Sequence, residues 1–382
     1  MPPARTESAE YLDSVDEVDR FLTEISDVKE LALDTEGASF HRFLDRIYLL
    51  QISTRGRSAI IDPLPIGSPS RLGQLLESKN VEVVFHDADY DLRLLHQDYG
   101  WHVTNIFDTR IAAQLLGIKS FGLAALLEQF FDVKLDKKHQ RADWSMRPLT
   151  ADMLDYAAQD TRYLLQLRDQ LRSELERRGR LRWAEEEFAR LEGTRWEAEE
   201  EMEGFLRLKG ARDLSRRELA VLREVANYRD TVAKELDRAT FRVMGNEVLF
   251  ELARRAPRSV SELSAFKGMP KGMIERGGSD IITAIRRGME APEAELPKFP
   301  KGQRWNKDRD FDDRVSRLKA VRDAAATRLD LDPGVLCSRE RLENIARSGA
   351  KTADDLAKVP DLRQWQIGEM GDGFIRALTA PA

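Results

Sequence analysis

One short stretch, Leu31-Ala32-Leu33-Asp34-Thr35-Glu36-Gly37, constrains the fold of this chain more than any other. Its apolar start reads as a buried strand, and it ends in two carboxylates spaced two residues apart. Strand side chains alternate, so Ala32, Asp34 and Glu36 share one face while Leu31 and Leu33 take the other. Unpaired, the two acids repel each other and resist losing water, so a positive partner is expected between them. Hard oxygen ligands suit Mg²⁺ or Mn²⁺. An isolated Asp-x-Glu is more often a pair of solvated acids where a strand meets a loop, so the rest of the chain decides.

Around that strand the pattern is one of short strands among helices. A helix over 14–22 precedes it; residues 47–52 and 58–63 are further strands, the second stopped by Pro63. Consecutive short strands suggest an antiparallel meander. After a helix near 71–76, residues 81–85 supply another strand, and the mixture implies an α/β sheet covered on both faces. Asp87, Asp89 and Asp91 crowd the turn after that strand, where an open sheet exposes its reactive groups. Asp87 and Asp89 suit helix capping; Asp91 lies inside the first turns, where capping explains it less well. Helices follow over 108–116 and from Lys119 onward.

The basic segment 137–149 carries Trp144 among its cations, an interleaving that suits single-stranded nucleic acid. A loop anchored by a buried Trp144 is the equal alternative. Thr150 then reads as the N-cap of a helix on which Tyr156 and Asp160, four apart, share a face. A phenol above a carboxylate can address one bound water and metal, or can simply be a half-buried tyrosine beside a solvated acid. A charged helix over 168–182 closes this first region.

Beyond it the chain is helical and repeats itself. A shift of 93 residues pairs Asp230 with Asp323, Leu236 with Leu329, Leu249 with Leu342 and Leu263 with Leu356, so two copies of one small helical module are expected. A proline-containing linker from Ala291 to Gly302 separates them. Net charge over the 382 residues is −6, yet residues 207–287 hold 18 basic and 11 acidic residues, a local +7 that suits a phosphate-facing surface. The single cysteine, Cys337, excludes an internal disulfide, and the histidines lack zinc-ligand spacing. No apolar run approaches membrane-spanning length and the acidic start is unlike a signal peptide, so a cytoplasmic protein is expected.

Taken together, Asp34-x-Glu36, Asp91 after His86, and Tyr156-x-x-x-Asp160 resemble the three motifs of the DEDD exonuclease superfamily in its tyrosine-bearing subclass. Leu49-Leu50-Gln51-Ile52, Arg141-x-Asp143-Trp144-x-x-Arg147-Pro148-Leu149 and Tyr156-Ala157-Ala158-x-Asp160 look like the ribonuclease D family. The duplicated helical part resembles that family's helicase-and-RNase-D C-terminal (HRDC) modules. The resemblance implies an α/β protein: an RNase H-like mixed-sheet exonuclease domain over 1–200, followed by two small all-α HRDC-like domains. These run over 207–290 and, more divergent, 307–382, with a linker over 291–306.

The same resemblance implies hydrolysis by two divalent ions, Mg²⁺ or Mn²⁺. Asp34 would bridge them, Glu36 and Asp160 complete the site that activates water, and Asp91 support the second ion through water. Tyr156 would orient the attacking water, while Thr35, Gln51, His86, Arg141, Trp144 and Arg147 would contact substrate. The implied reaction is stepwise removal of nucleotides from RNA 3′ ends as nucleoside 5′-monophosphates, with transfer-RNA precursors or other small structured RNA as substrates. No membrane is implied, and protein partners stay unknown. Two rivals share the residues: a DNA-directed 3′→5′ exonuclease, and a nuclease-like binding scaffold without catalysis. Neither a polymerase-sized region nor a Gly-Lys-Ser/Thr phosphate loop is present.

Overall fold

The computed structural model describes residues 9–136, 138–197, 204–300 and 310–380. Within the first 200 residues six strands form one sheet: β1 (Glu10–Leu12), β2 (Glu30–Glu36), β3 (Leu49–Ser53), β4 (Ser58–Ile61), β5 (Glu82–Phe85) and β6 (Ile106–Asp108). They lie in the order β1-β4-β3-β2-β5-β6. The meander expected from the sequence is β2-β3-β4, paired antiparallel, whereas β5 runs parallel to β2 and β6 parallel to β5. The outermost strands β1 and β6 are three residues each, too short to show a period-two pattern.

β2 is therefore an interior strand, and its alternation has the expected consequence. Leu31 and Leu33 enter the apolar layer beneath the sheet with Phe21, Leu72 and Leu95. Ala32 faces the other layer, against Leu164, Leu167 and Phe107. The helix Ala151–Arg162 covers that second face, burying Ala157 and Ala158 against Leu49 and Ile60. Asp34 and Glu36 thus come out at the strand end directly below this helix.

The charged helix expected over 168–182 is instead two helices, Leu164–Arg177 and Leu181–Leu191. Gly179, with φ +68°, makes the break between them.

The 93-residue repeat is a structural repeat. Thr240–Val243, Asn246–Arg255 and Val260–Leu263 recur as Pro333–Leu336, Arg339–Ser348 and Ala353–Leu356 at that offset. The long helices Arg216–Glu235 and Lys271–Glu290 correspond to Phe311–Leu329 and Gln364–Thr379. Even the left-handed residues match: Asp237 with Asp330, Ala256 with Gly349, and Gly268 with Asp361.

The two copies are held differently. The first has its own core, built on Leu222, Leu249 and Ile281. It meets the sheet region through the loop after β2: Asp237 accepts from Arg42 Nη1 and Phe43 N, both at 3.3 Å, and Ala239 N donates to His41 O at 3.1 Å.

In the second copy Leu318, Leu336, Ile345 and Phe374 belong to the same apolar cluster as Leu115, Leu126 and Leu171 of the sheet region. Trp365 stacks on Trp183 at 4.8 Å and donates its indole N–H to Glu187 at 3.0 Å. Arg180 joins both sides, donating to Leu115 O at 2.8 Å and Leu329 O at 2.6 Å. Gly117 admits this contact, because a Cβ there would lie 2.2 Å from Asp330 O. The expected linker begins packed, with Leu296 buried and Arg216 donating to Leu296 O at 3.1 Å; its residues 301–306 lie outside the described ones. Among the described residues no helix is long and apolar enough to cross a membrane.

Candidate active site

Three elements converge on the end of β2. Thr150 caps the Ala151–Arg162 helix by accepting from Met153 N at 3.2 Å, which fixes the turn carrying Tyr156 and Asp160. Carboxylate oxygens of Asp34, Glu36 and Asp160 lie within 4.8 Å of one another. Asp91, from the helix Asp89–Tyr99, is drawn to the same strand: its Oδ1 accepts from Thr35 N at 3.0 Å and from Thr35 Oγ1 at 2.6 Å. One carboxylate oxygen of Asp91 remains for other contacts.

The other two acids of that turn are taken by cations. Asp87, held at φ 69°, pairs with Arg110, and Asp89 accepts from Arg93 Nε at 2.8 Å. The helix itself is capped at Ala88, whose N–H donates to Asp108, so neither Asp87 nor Asp89 acts as the expected cap.

No lysine or arginine among the described residues pairs with Asp34, Glu36, Asp91 or Asp160. Burial and mutual repulsion therefore act unopposed. Burial, reinforced by Asp160, lifts the Asp34 carboxyl well above the usual range, and Glu36 is lifted by burial and then by Asp34, Asp160 and Asp91. Asp91 is raised by burial and by Asp34 against the two bonds from Thr35. Asp160 is raised from 3.8 to about 7 by burial and by Asp91. Burial and the three acids also push the Tyr156 phenol far up, so it stays a proton donor.

Such a cluster favours a divalent cation, and the sign of its pH dependence follows. The unfolded carboxyls ionise from about pH 4 while the folded ones resist, so the folded state loses relative stability as pH rises, the share of Asp160 being lost as it ionises near 7. Added Mg²⁺ or Mn²⁺ is expected to raise the unfolding midpoint by several degrees at about pH 8 and by much less at about pH 5. Calorimetric scans with and without metal check this; equal shifts at both pH values would contradict it.

Asp34, Glu36 and Asp160 open onto a cleft of about 570 Å³ whose other walls include His86, Arg110, Phe121 and Gln140, with Asp91 buried beside them and not part of its lining. Burial pulls the His86 imidazole down to about 4, leaving it neutral, and its Nδ1 lies 2.9 Å from Thr109 Oγ1. Gln51 is fully buried, and its amide reaches Glu36 Oε1 at 3.4 Å.

The remaining expected substrate contacts sit elsewhere. Trp144 is 1% exposed, with its ring 6.0 Å from that of Tyr156, so the anchored-loop alternative describes it. It supports the tyrosine from behind and offers no free face to a base. Arg147 ties the same loop to the sheet, donating to Asp62 at 2.5 Å, Trp144 O at 2.8 Å and Tyr48 O at 3.0 Å. Arg141 lies outside the cleft, with its guanidinium 5.2 Å from the Phe40 ring. Conversely, Arg110, Phe121 and Gln140 line the cleft without having been singled out. Arg110 sits in an ordinary helix, and only the pairing with Asp87 and the contact with Phe121 reveal its place.

Comparison with known proteins bears on what this cleft does. The chain matches the 3′-5′ exonuclease family over residues 9–176 and the HRDC domain family over 218–285 and 311–378. The two HRDC matches are themselves 93 residues apart. Ribonuclease D of Desulfotalea psychrophila is 30% identical over 321 residues, covering 83% of this chain and 85% of that protein. A crystal structure of a protein from Bifidobacterium adolescentis superposes with TM-score 0.85 and 25% identity, covering 100% of this chain and 99% of the other. Escherichia coli RNase D, an exoribonuclease involved in structured RNA processing, shares the fold with TM-score 0.73 at 24% identity, covering 97% of this chain and 99% of that one.

Proposed function

The chain belongs to the ribonuclease D family, 3′-5′ exoribonucleases that use a divalent metal, and we propose that Asp34, Glu36, Asp91 and Asp160 hold that metal at an RNA 3′ end. The observation that carries the assignment is the meeting of three carboxylates within 4.8 Å with no cation among the described residues to balance them. Oxygen-only donors of this kind fit a hard divalent ion. We take the number of ions as two, Mg²⁺ or Mn²⁺, with Asp34, Glu36 and Asp160 around one and Asp91 serving the other. When bound, such ions supply positive charge to the scissile phosphate and the departing 3′ oxygen, and acidify water.

The protein's own groups do the rest. Tyr156, a phenol whose ordinary pKa near 10 makes it a poor base at neutral pH, orients a water for attack on phosphorus by hydrogen bonding. Trp144 fixes the tyrosine ring from behind. Thr35 and Gln51 hold the Asp91 and Glu36 carboxylates in place. Attack breaks the terminal phosphodiester bond, releases a nucleoside 5′-monophosphate and leaves a new 3′-hydroxyl for the next cycle.

We assign residues 1–200 to the exonuclease, 207–290 to the first HRDC-like domain and 307–382 to the second. The phosphate-contacting role falls to the first, since residues 311–379 carry 12 basic and 12 acidic residues and are charge-balanced. Transfer-RNA precursors and other small structured RNAs are the substrates we propose. The test is digestion of matched oligomers ending in 3′-hydroxyl or 3′-phosphate, as RNA and as DNA, with and without chelator. Metal-dependent release of 5′-mononucleotides from 3′-hydroxyl RNA is expected; faster digestion of the DNA, or no release at all, would overturn the reading.

A further inference from the structure

His86 lines the cleft beside the acids yet is no part of the metal-holding set. Its ring is oriented by a two-bond relay. His86 Nδ1 is 2.9 Å from Thr109 Oγ1, and Thr109 Oγ1 is in turn 2.9 Å from Phe85 O, to which it donates. A backbone carbonyl can only accept, and a hydroxyl has a single proton to give. The arrangement that makes both bonds has Thr109 donating to Phe85 O and accepting from His86 Nδ1–H. The neutral imidazole is thereby fixed as the Nδ1–H tautomer, with Nε2 carrying a bare lone pair.

Thr109 is fully buried at the start of the helix Thr109–Leu115, where Asp108 accepts from Arg110 N at 2.8 Å and Ile111 N at 3.0 Å. The relay is therefore built on a rigid turn. Burial keeps the ring uncharged, so Nε2 does not become a donor near neutral pH. The neighbouring charges are occupied, since Asp87 and Arg110 pair with each other.

A wall of this cleft thus presents a fixed, uncharged acceptor beside the carboxylates Asp34, Glu36 and Asp160. A nuclease that accepts every base cannot place its specificity on base edges. The donors every RNA 3′ end carries are its ribose hydroxyls. We propose that His86 Nε2 accepts a hydrogen bond from the 2′-hydroxyl of the terminal ribose and so favours RNA over DNA, with Thr109 as the positioning residue that sets the tautomer. This rests on the exoribonuclease reading above and adds the group that reads the sugar.

The test compares the full-length wild type with His86→Ala and Thr109→Val on oligomers whose terminal nucleotide is ordinary, 2′-deoxy or 3′-deoxy. Loss of one such bond is worth about tenfold in kcat/KM. His86→Ala is expected to lower kcat/KM about tenfold on the ordinary and 3′-deoxy substrates while changing it little on the 2′-deoxy one. A loss on the 2′-deoxy substrate as large as on the ordinary one, with the 3′-deoxy substrate spared, would mean that a hydroxyl common to RNA and DNA is read and would overturn the proposal.

Thr109→Val, which keeps the side-chain shape, should lose part of the same selectivity, and thermal unfolding confirms that both variants fold. An equal loss on all three substrates, no loss on any, or a new preference among terminal bases would overturn the proposal. Failure of the wild type to digest RNA at all would instead sink the exoribonuclease reading, so the two failures are distinguishable.

Discussion

Asp34→Asn is expected to abolish hydrolysis while leaving RNA binding largely intact. The substitution keeps the shape of the side chain and removes one negative charge from the centre of the cluster. Asp34 is the residue whose field raises both Glu36 and Asp91, and its oxygen lies within 4.8 Å of those of Glu36 and Asp160. Charge stabilisation by bound divalent ions is worth several kcal/mol, so turnover should fall about a thousandfold or more. Binding measured in chelator should hold or improve, because the substitution leaves the basic surface over residues 207–287 untouched and removes one repelling charge. The metal-free variant should also unfold at a higher temperature than the wild type near neutral pH, since the buried repulsion is relieved. Turnover within a few-fold of wild type would remove Asp34 from the chemistry.

Trp365→Ala is expected to destabilise the sheet region as well as the module that carries it. Trp365 is 6% exposed, stacks on Trp183 and donates to Glu187, and lies in an apolar cluster that spans both parts. Truncating a large buried aromatic costs about 3–5 kcal/mol. Because the core is shared, a single lowered unfolding transition is expected in calorimetry, and hydrolysis of short oligomers should fail at the same temperature. An early separate transition of the C-terminal module, with the nuclease melting as before, would show that the shared core does not couple them. By the same argument, removing residues from 311 onward should expose apolar surface of the nuclease part and compromise its folding. Short-oligomer hydrolysis is thus not expected to survive loss of the whole helical part.

The central strand and its carboxylates were legible in the sequence because period-two alternation and an interior β2 position act on the same few residues. Leu31 and Leu33 had to bury one way, which left Asp34 and Glu36 together on the other face. The helical repeat was equally plain, since its apolar positions recur at one offset and its elements follow them. The choice of Asp91 over Asp87 and Asp89 rests on its place inside the first turns and on resemblance; in space Asp87 pairs with Arg110 and Asp89 with Arg93, partners beyond the reach of local pattern.

What local pattern could not show was whether a cation or an aromatic ring is already spent on structure. Arg147 and Trp144 have the composition of a nucleic-acid contact, but Asp62, three backbone carbonyls and the Tyr156 ring take them. The same limit hid the docking of the second helical copy. Gly117, Arg180 and Trp183 carry that interface, and none of them stands out without its partner 149 to 213 residues further on. The two copies differ in how they are held: one keeps its own core, and the other completes the core of the nuclease.

Anomalous diffraction from crystals grown with Mn²⁺ and a short 3′-hydroxyl RNA tests the central claim most directly. Manganese peaks bounded by Asp34, Glu36 and Asp160, with Asp91 on the adjoining side and the 3′-terminal phosphate against them, are predicted. Manganese bound only at other acidic surfaces, with the RNA end outside this cleft, would contradict the account.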